Sequence, residues 1–224
     1  MDRRTRGGAM TTDNSITTER LLQRVHDREP QALEELFARH QERLRKMVRL
    51  RLDRRLRGQV TSSSVLSEVF QEASRRIDEY RTNPCGSFFL WLRQLTGQRL
   101  QALQQRHLGE QVREAEQEFS LYRGAMPQVH SMSLAAQLMG NRAAHRDAAR
   151  ADMLLRLQDA LNGMDAMDRE VLALCHFEEL SEEEVAAVLG IDRDTATLRY
   201  LRALKRLKEI LNGIPGFFDN TRKS

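Results

Sequence analysis

Near the end of the chain, Arg193, Thr197, Arg199, Arg202, Lys205 and Arg206 fall along one side of a stretch with helical spacing. Ala196, Tyr200, Ala203, Leu204 and Leu207 occupy the other side. Cations arrayed this way can neutralise phosphates and release their counterions, while single side chains meet base edges in a major groove. Such chemistry needs a rigid mount, and the preceding residues supply one. Ser181 can cap a helix, and Glu184, three residues on, can reach back to the cap's amide. Val185, Ala186 and Leu189 then form an apolar stripe. Gly190 offers the left-handed conformation that ends a helix. Ile191 can plug the corner, and Asp192 can cap the basic helix. A short helix, a glycine corner and a basic second helix is the order of a helix-turn-helix, whose second helix enters the major groove. The same pattern describes a solvated helical hairpin, and periodicity alone leaves both readings open.

Composition sets the frame around that motif. The chain has 224 residues, enough for one large or two small domains. Its hydrophobic fraction is 40%, with only 4 prolines and long stretches of Leu, Arg, Glu, Gln and Ala, which predicts an all-α protein with modest cores. A net charge of +4 and a pI near 9.4 suit a polyanionic partner. No apolar run approaches the ~18 residues of a membrane span. The basic start MDRRTRGGAMTT is followed by no apolar segment, so no signal peptide is expected and the predicted location is cytoplasmic. Cys85 and Cys175 lie far apart without CxxC spacing, and His107, His130, His145 and His176 show no metal-ligand spacing. No metal or cofactor is expected. A helical enzyme finds no support, since the chain has no glycine-rich phosphate loop, nucleophile elbow, HExxH or paired carboxylates on an apolar face.

The elements that must position the motif follow from punctuation and period. Residues 1–17 are polar and predict a disordered tail. Thr17 or Thr18 can cap a short helix through about Asp27, and Pro30 suits the start of a long one. That helix carries Leu33, Leu36, Phe37, Leu44, Met47, Val48 and Leu52, and Gly58 is expected to stop it. Ser62–Ser64 offer caps for a third helix with Val65, Leu66, Val69, Phe70, Ala73, Ile77 and Tyr80. Ser87 starts a fourth, Phe88–His107, and Gly109 ends it. Residues 18–108 thus make one domain, and 109–149 read as a flexible linker with a weak apolar patch at Leu134–Met139. Residues 150–212 make a second domain. Residues 213–224 are a tail in which Phe217 and Phe218 could fold back.

Taken in order, these segments resemble the extracytoplasmic-function group of bacterial RNA polymerase sigma factors, in the sigma-70 superfamily. The stretch from Asp165 to Leu211 is similar to the family's promoter-binding C-terminal domain, matching at Leu180, Ser181, Glu184, Val185, Ala186, Leu189, Gly190, Ile191, Thr195, Arg199, Arg202, Ala203 and Leu204. VLSEVFQEA resembles the segment that docks on the polymerase clamp, and FFLWLRQLTGQRLQALQQRH resembles the promoter-melting helix. The resemblance implies a factor without catalytic residues that binds core RNA polymerase and promoter DNA. It places −35 contacts at Arg193, Thr197, Leu198, Arg199 and Arg202. It places −10 and melting contacts at Phe88, Arg93, Gln94 and Gln98, and polymerase contacts at Ser64, Val65, Leu66, Ser67 and Glu68. An anti-sigma protein is common in the family, though no residue here reports one.

The chain departs from the family's pattern in places. Ser64 and Ser67 stand where an acid and an amide are frequent. Gln98 and Ala102 stand where Asn and Asp are frequent, and Gly97 sits inside the helix, where glycine costs roughly 1 kcal/mol against alanine. Thr197 replaces a common basic residue. A dense basic run, Arg39–Arg57, is either a solvated face or a contact with a polyanion or the polymerase. Trp91 reads as core, and Phe88 as core or as a platform for a flipped base. The competing class is a helix-turn-helix regulator that binds duplex DNA without acting in initiation.

Overall fold

The computed structural model describes residues 18–29, 31–82, 86–108, 126–140, 148–215 and 217, and every regular element among them is helical. Helix α1 covers 18–26. It is followed by α2 (Ala32–Arg51), α3 (Ser62–Thr82) and α4 (Phe88–Leu108). Then come α5 (Ser131–Met139), α6 (Ala148–Asn162), α7 (Ala166–His176), α8 (Glu182–Leu189) and α9 (Arg193–Asn212). The expected disordered tail at 1–17, Cys85, Gly109 and most of the expected linker lie outside the described residues.

Helices α1 to α4 share one core. Leu36, Phe37, Leu44, Met47 and Val48 of α2 meet Val65, Leu66, Val69 and Ala73 of α3 and Phe88, Phe89, Trp91, Leu92 and Leu95 of α4. Tyr80, Phe88 and Trp91 form an aromatic knot with ring centroids 5.0 to 5.5 Å apart, within the range where tilted and edge-on pairs are favourable. Trp91 is therefore core, and Phe88, 2% exposed, is core as well.

Two boundaries differ from expectation. Helix α2 ends at Arg51 rather than at Gly58: Leu52 turns to extended backbone, and Asp53 caps a 3-10 turn, Arg54–Leu56, by accepting from the Arg55 amide. Leu52 and Leu56 both turn inward and are buried, so burial redirects the chain before the glycine is reached. Helix α3 is capped by Thr61, not by the serines after it. The Ser64 amide donates to Thr61 Oγ1 at 3.0 Å, and the Thr61 amide donates to Ser64 Oγ at 3.1 Å. A Cβ at Gly97 would crowd only the flexible end of the Met126 side chain, which can shift aside.

The C-terminal helices build a second core from Leu157, Leu161, Leu172, Ala173, Ala203, Leu207 and Ile210. The part of the expected linker that is described is not a free tether. Val129, Leu134, Ala135 and Met139 are buried in this second core together with Leu50 of α2. The His130 amide donates to the Leu50 carbonyl at 3.1 Å, and Arg57 donates to Ser133 Oγ at 2.5 Å. Phe217 folds back and is buried against the same cluster. Val171, Leu174, Leu180, Val185 and Leu189 join the first core instead, so apolar packing is continuous from one domain to the other.

Candidate nucleic-acid interface

The helix-turn-helix is built as its residue types require. The Glu184 amide donates to Ser181 Oγ and the Ser181 amide donates to Glu184 Oε2, each at 3.1 Å, closing the capping box. Gly190 is left-handed at φ 66° and ψ 33°, a conformation that costs a side-chain-bearing residue about 1–2 kcal/mol. Asp192 caps α9 by accepting from the Thr195 amide at 2.8 Å. Ala196, Ala203, Leu207 and Ile210 are buried, which turns the basic side of α9 outward.

On that side, Arg193, Leu198 and Arg202 are exposed, and Thr197 and Arg199 are half-buried. Leu198 and Leu201 are 57% and 54% exposed, unusual for large apolar side chains with no partner surface. Arg193 is held back on α8: its Nη2 lies 2.8 Å from Glu182 Oε2 and its Nη1 3.0 Å from Glu183 Oε1. It must leave these carboxylates to reach a phosphate. Thr197 Oγ1 donates to the Arg193 carbonyl at 3.0 Å, which leaves its hydroxyl able only to accept and its methyl able to pack.

The candidate melting residues divide. Gln94 and Gln98 are exposed on α4, with Arg76 donating to Gln98 Oε1 at 3.4 Å. Phe88 is locked in the aromatic knot. Arg93 is 4% exposed, its Nε donating to Glu178 Oε2 at 2.6 Å. The clamp-like segment divides as well. Val65 and Leu66 are core, at 0% and 1% exposure, so they shape the helix and cannot be touched from outside. Ser64 and Ser67 are exposed and Glu68 is half-buried, with Glu68 paired to Arg99.

The basic run from Arg39 to Arg57, on α2 and the 3-10 turn after it, is used in part by the protein itself. Arg39, Arg49, Arg54, Arg55 and Arg57 are exposed, but Arg51 is fully buried. Its Nη2 donates to Glu170 Oε1 and its Nη1 lies against Glu178 Oε1, both at 2.5 Å. Arg43 donates to the carbonyls of Glu178 and Glu179 at 2.7 and 2.9 Å and stacks 3.6 Å over the Phe89 ring. Lys46 lies 2.9 Å from Glu179 Oε1. Glu178 is completely buried. Against the desolvation of that burial, the charges of Arg51 and Arg93 hold its carboxyl below the ordinary range. Sequence reasoning missed this seam because Glu170 and Glu178 look like surface acids on α7 and its exit loop. The one available signal was the excess of arginines over acids in α2.

Among the described residues, no group of three or more His, Cys, Asp or Glu side chains could hold a metal ion. Among them also, no helix is long and apolar enough to cross a membrane.

Residues 154–207 match the family described as Sigma-70, region 4. A solved structure described as CnrH in complex with the cytosolic domain of CnrY aligns over 86% of this chain and 95% of that one. Its TM-score is 0.50 and its identity 20%, a likeness of fold. No curated protein matches the chain significantly. The matched region holds the capping box, the Gly190 corner and the exposed basic face of α9, so this part of the chain, residues 154–207, is similar to region 4 of sigma-70 factors.

Proposed function

We propose that the two domains divide promoter recognition between them on core RNA polymerase. The C-terminal domain reads duplex DNA at the −35 element with α9. Arg199 and Arg202 engage phosphates or base edges, Arg193 joins them after leaving Glu182 and Glu183, and Leu198 and the Thr197 methyl meet apolar base edges. The observation that carries this reading is the outward basic face of a helix mounted by a complete capping box and a left-handed glycine. The N-terminal domain supplies Ser64, Ser67 and Glu68 to the polymerase and Gln94 and Gln98 to the −10 strand. Arg93 can take part only after Glu170 and Glu178 of the C-terminal domain move off α4, and Phe88 belongs to the first-domain core.

A protein partner that binds the chain belongs to the same reading, since the similar solved structure holds CnrH with the cytosolic domain of CnrY. The test is reconstitution. The purified chain is incubated with core RNA polymerase, the complex is isolated, and transcription is started on genomic fragments. Stable complex formation with initiation at defined start sites is expected. Duplex binding with no core binding would place the chain among regulators instead.

A further inference from the structure

A cleft of about 520 Å³ opens where the end of α2, the 3-10 turn and the start of α3 face α5. That volume lies within the range of small-molecule sites, roughly 300–1,000 Å³. Arg49, Arg57, Thr61 and Ser62 line it from the first domain, and Ser133 and Gln137 line it from α5. Leu52, Val60 and Ala136 supply the apolar part of the wall. Among the described residues that line it there is no Asp or Glu, and none belongs to α8 or α9.

The polar groups of the cleft call for an acceptor that the surrounding residues do not supply. Arg57 donates from Nη2 to the Arg49 carbonyl at 3.2 Å and to Ser133 Oγ at 2.5 Å. Both bonds come from one nitrogen, so Nε and Nη1 keep their donors. Partial desolvation, and then the charge of Arg54, hold the Arg57 guanidinium below its ordinary pKa. Asp53 pulls the other way, but its carboxylate is spanned by Arg55 Nε and Nη2 at 3.1 and 3.0 Å. Arg49 adds a second guanidinium with no carboxylate partner among the described residues. Across the cleft, Gln137 Nε2 is buried and has no acceptor among the described residues. An unmet donor of this kind is a cost that an acceptor in the cleft removes.

We propose that this cleft binds a phosphorylated small molecule of nucleotide size. Arg49 and Arg57 take its phosphates, which suit guanidinium forks. Ser62, Ser133 and the Gln137 amide meet the polar atoms of its body, and Leu52 and Val60 take the apolar side. A concave site closed by α5 on one side fits a compact ligand better than a continuous strand. Because the ligand touches both walls, it fastens α5 to the first domain beside the Arg57–Ser133 bond.

The test uses the full chain in about 0.15 M salt, where loose surface attraction is screened. Isothermal titration calorimetry measures the binding of ADP and of inorganic pyrophosphate without added metal. ADP is expected to bind with a Kd of about 1 mM or tighter. It should bind at least about threefold more tightly than pyrophosphate, because its body also covers the apolar wall. R49Q should weaken ADP binding about tenfold, and Q137L about threefold. R54Q, which alters an arginine outside the cleft, should change it by less than about twofold. Amide exchange over residues 131–139 should slow when ADP is present. No binding of either probe up to about 5 mM overturns the proposal. So does ADP binding no tighter than pyrophosphate, or an equal loss in R49Q and R54Q. An oligothymidine that displaces ADP at lower concentration, with the same sensitivity to R49Q, overturns it in favour of a nucleic-acid strand. If R49Q does not fold, an unchanged ADP affinity of Q137L overturns it. The cleft is separate from α9, so none of these results bears on promoter reading, and a failure of promoter-dependent transcription leaves them standing.

Discussion

Ser87 Oγ donates to Glu184 Oε1 at 2.5 Å, while Glu184 Oε2 accepts from the Ser181 amide. Ser87 also caps α4 by accepting from the Leu90 amide at 3.3 Å. One carboxylate therefore ties the start of the candidate melting helix to the start of the helix-turn-helix, across 97 residues of chain. Its removal should be felt in both domains. Ser87→Ala is expected to destabilise the chain by about 1–2 kcal/mol, the worth of a cap plus a hydrogen bond to a charged group. A double-mutant cycle with Glu184→Ala, measured by urea unfolding, should give a coupling of about 0.5–1.5 kcal/mol. Strict additivity would mean that the two helix starts do not meet in solution.

His40 supplies a pH dependence. It is 6% exposed and lies between the rings of Phe88 and Phe89 at 5.8 and 5.6 Å, with no partner for Nε2 among the described residues. Burial, then the charges of Arg43 and Arg39, push its pKa down to about 4. The folded state thus prefers neutral imidazole. Its contribution is complete above the unfolded pKa of about 6.5 and is lost as pH falls from there towards about 4, at about 1.4 kcal/mol per pH unit. Urea midpoints should fall across that window and fall less steeply in His40→Phe. A residual slope is expected because burial also lowers the His130 pKa. Parallel profiles would clear His40 of the effect.

The exposed face of α9 offers two substitutions with different signatures. Arg202→Ala should weaken duplex promoter binding across sequences and reduce the salt-dependence slope by about one, as expected for a lost phosphate contact. Leu198→Ala should leave that slope alone and flatten base preference at a single −35 position, the mark of an apolar contact with a thymine methyl. Binding titrations at several salt concentrations against a base-substituted promoter set separate the two. A changed salt slope for Leu198→Ala would contradict its assignment to base reading.

Cys175 should be inert despite being free. Burial, and then the charge of Glu182, push its thiol up to about 11. Because the thiolate is the nucleophile, alkylation at pH 8 should be at least about tenfold slower in the folded chain than after unfolding. Peptide mass analysis of iodoacetamide labelling reads this directly. Equal rates would show that the thiol is not desolvated in the folded chain.

The helix-turn-helix was legible almost atom by atom, because its signals are local: a cap and its partner three residues on, a glycine at the corner, a period of 3.6. The first-domain helices were legible for the same reason, with boundaries slipping where Leu52 and Leu56 were drawn inward before Gly58. What was illegible depends on pairs distant in sequence. Nothing near Glu170 or Glu178 says that they meet Arg51 and Arg93. Nothing near Leu134 says that it shares a core with Leu50. Val65, Leu66, Phe88 and Arg93 were correctly placed on α3 and α4, but their burial is a property of the assembled domains.

The continuous apolar packing that carries Val171, Leu174 and Leu180 into the first core has a thermal consequence. Separating the domains wets that apolar surface, which raises heat capacity, and also hydrates four buried charges, which lowers it. Where the apolar contribution dominates, the closed arrangement is most favoured at an intermediate temperature and loosens on cooling as well as on heating. The readiness of the chain to open would then follow a dome rather than a line.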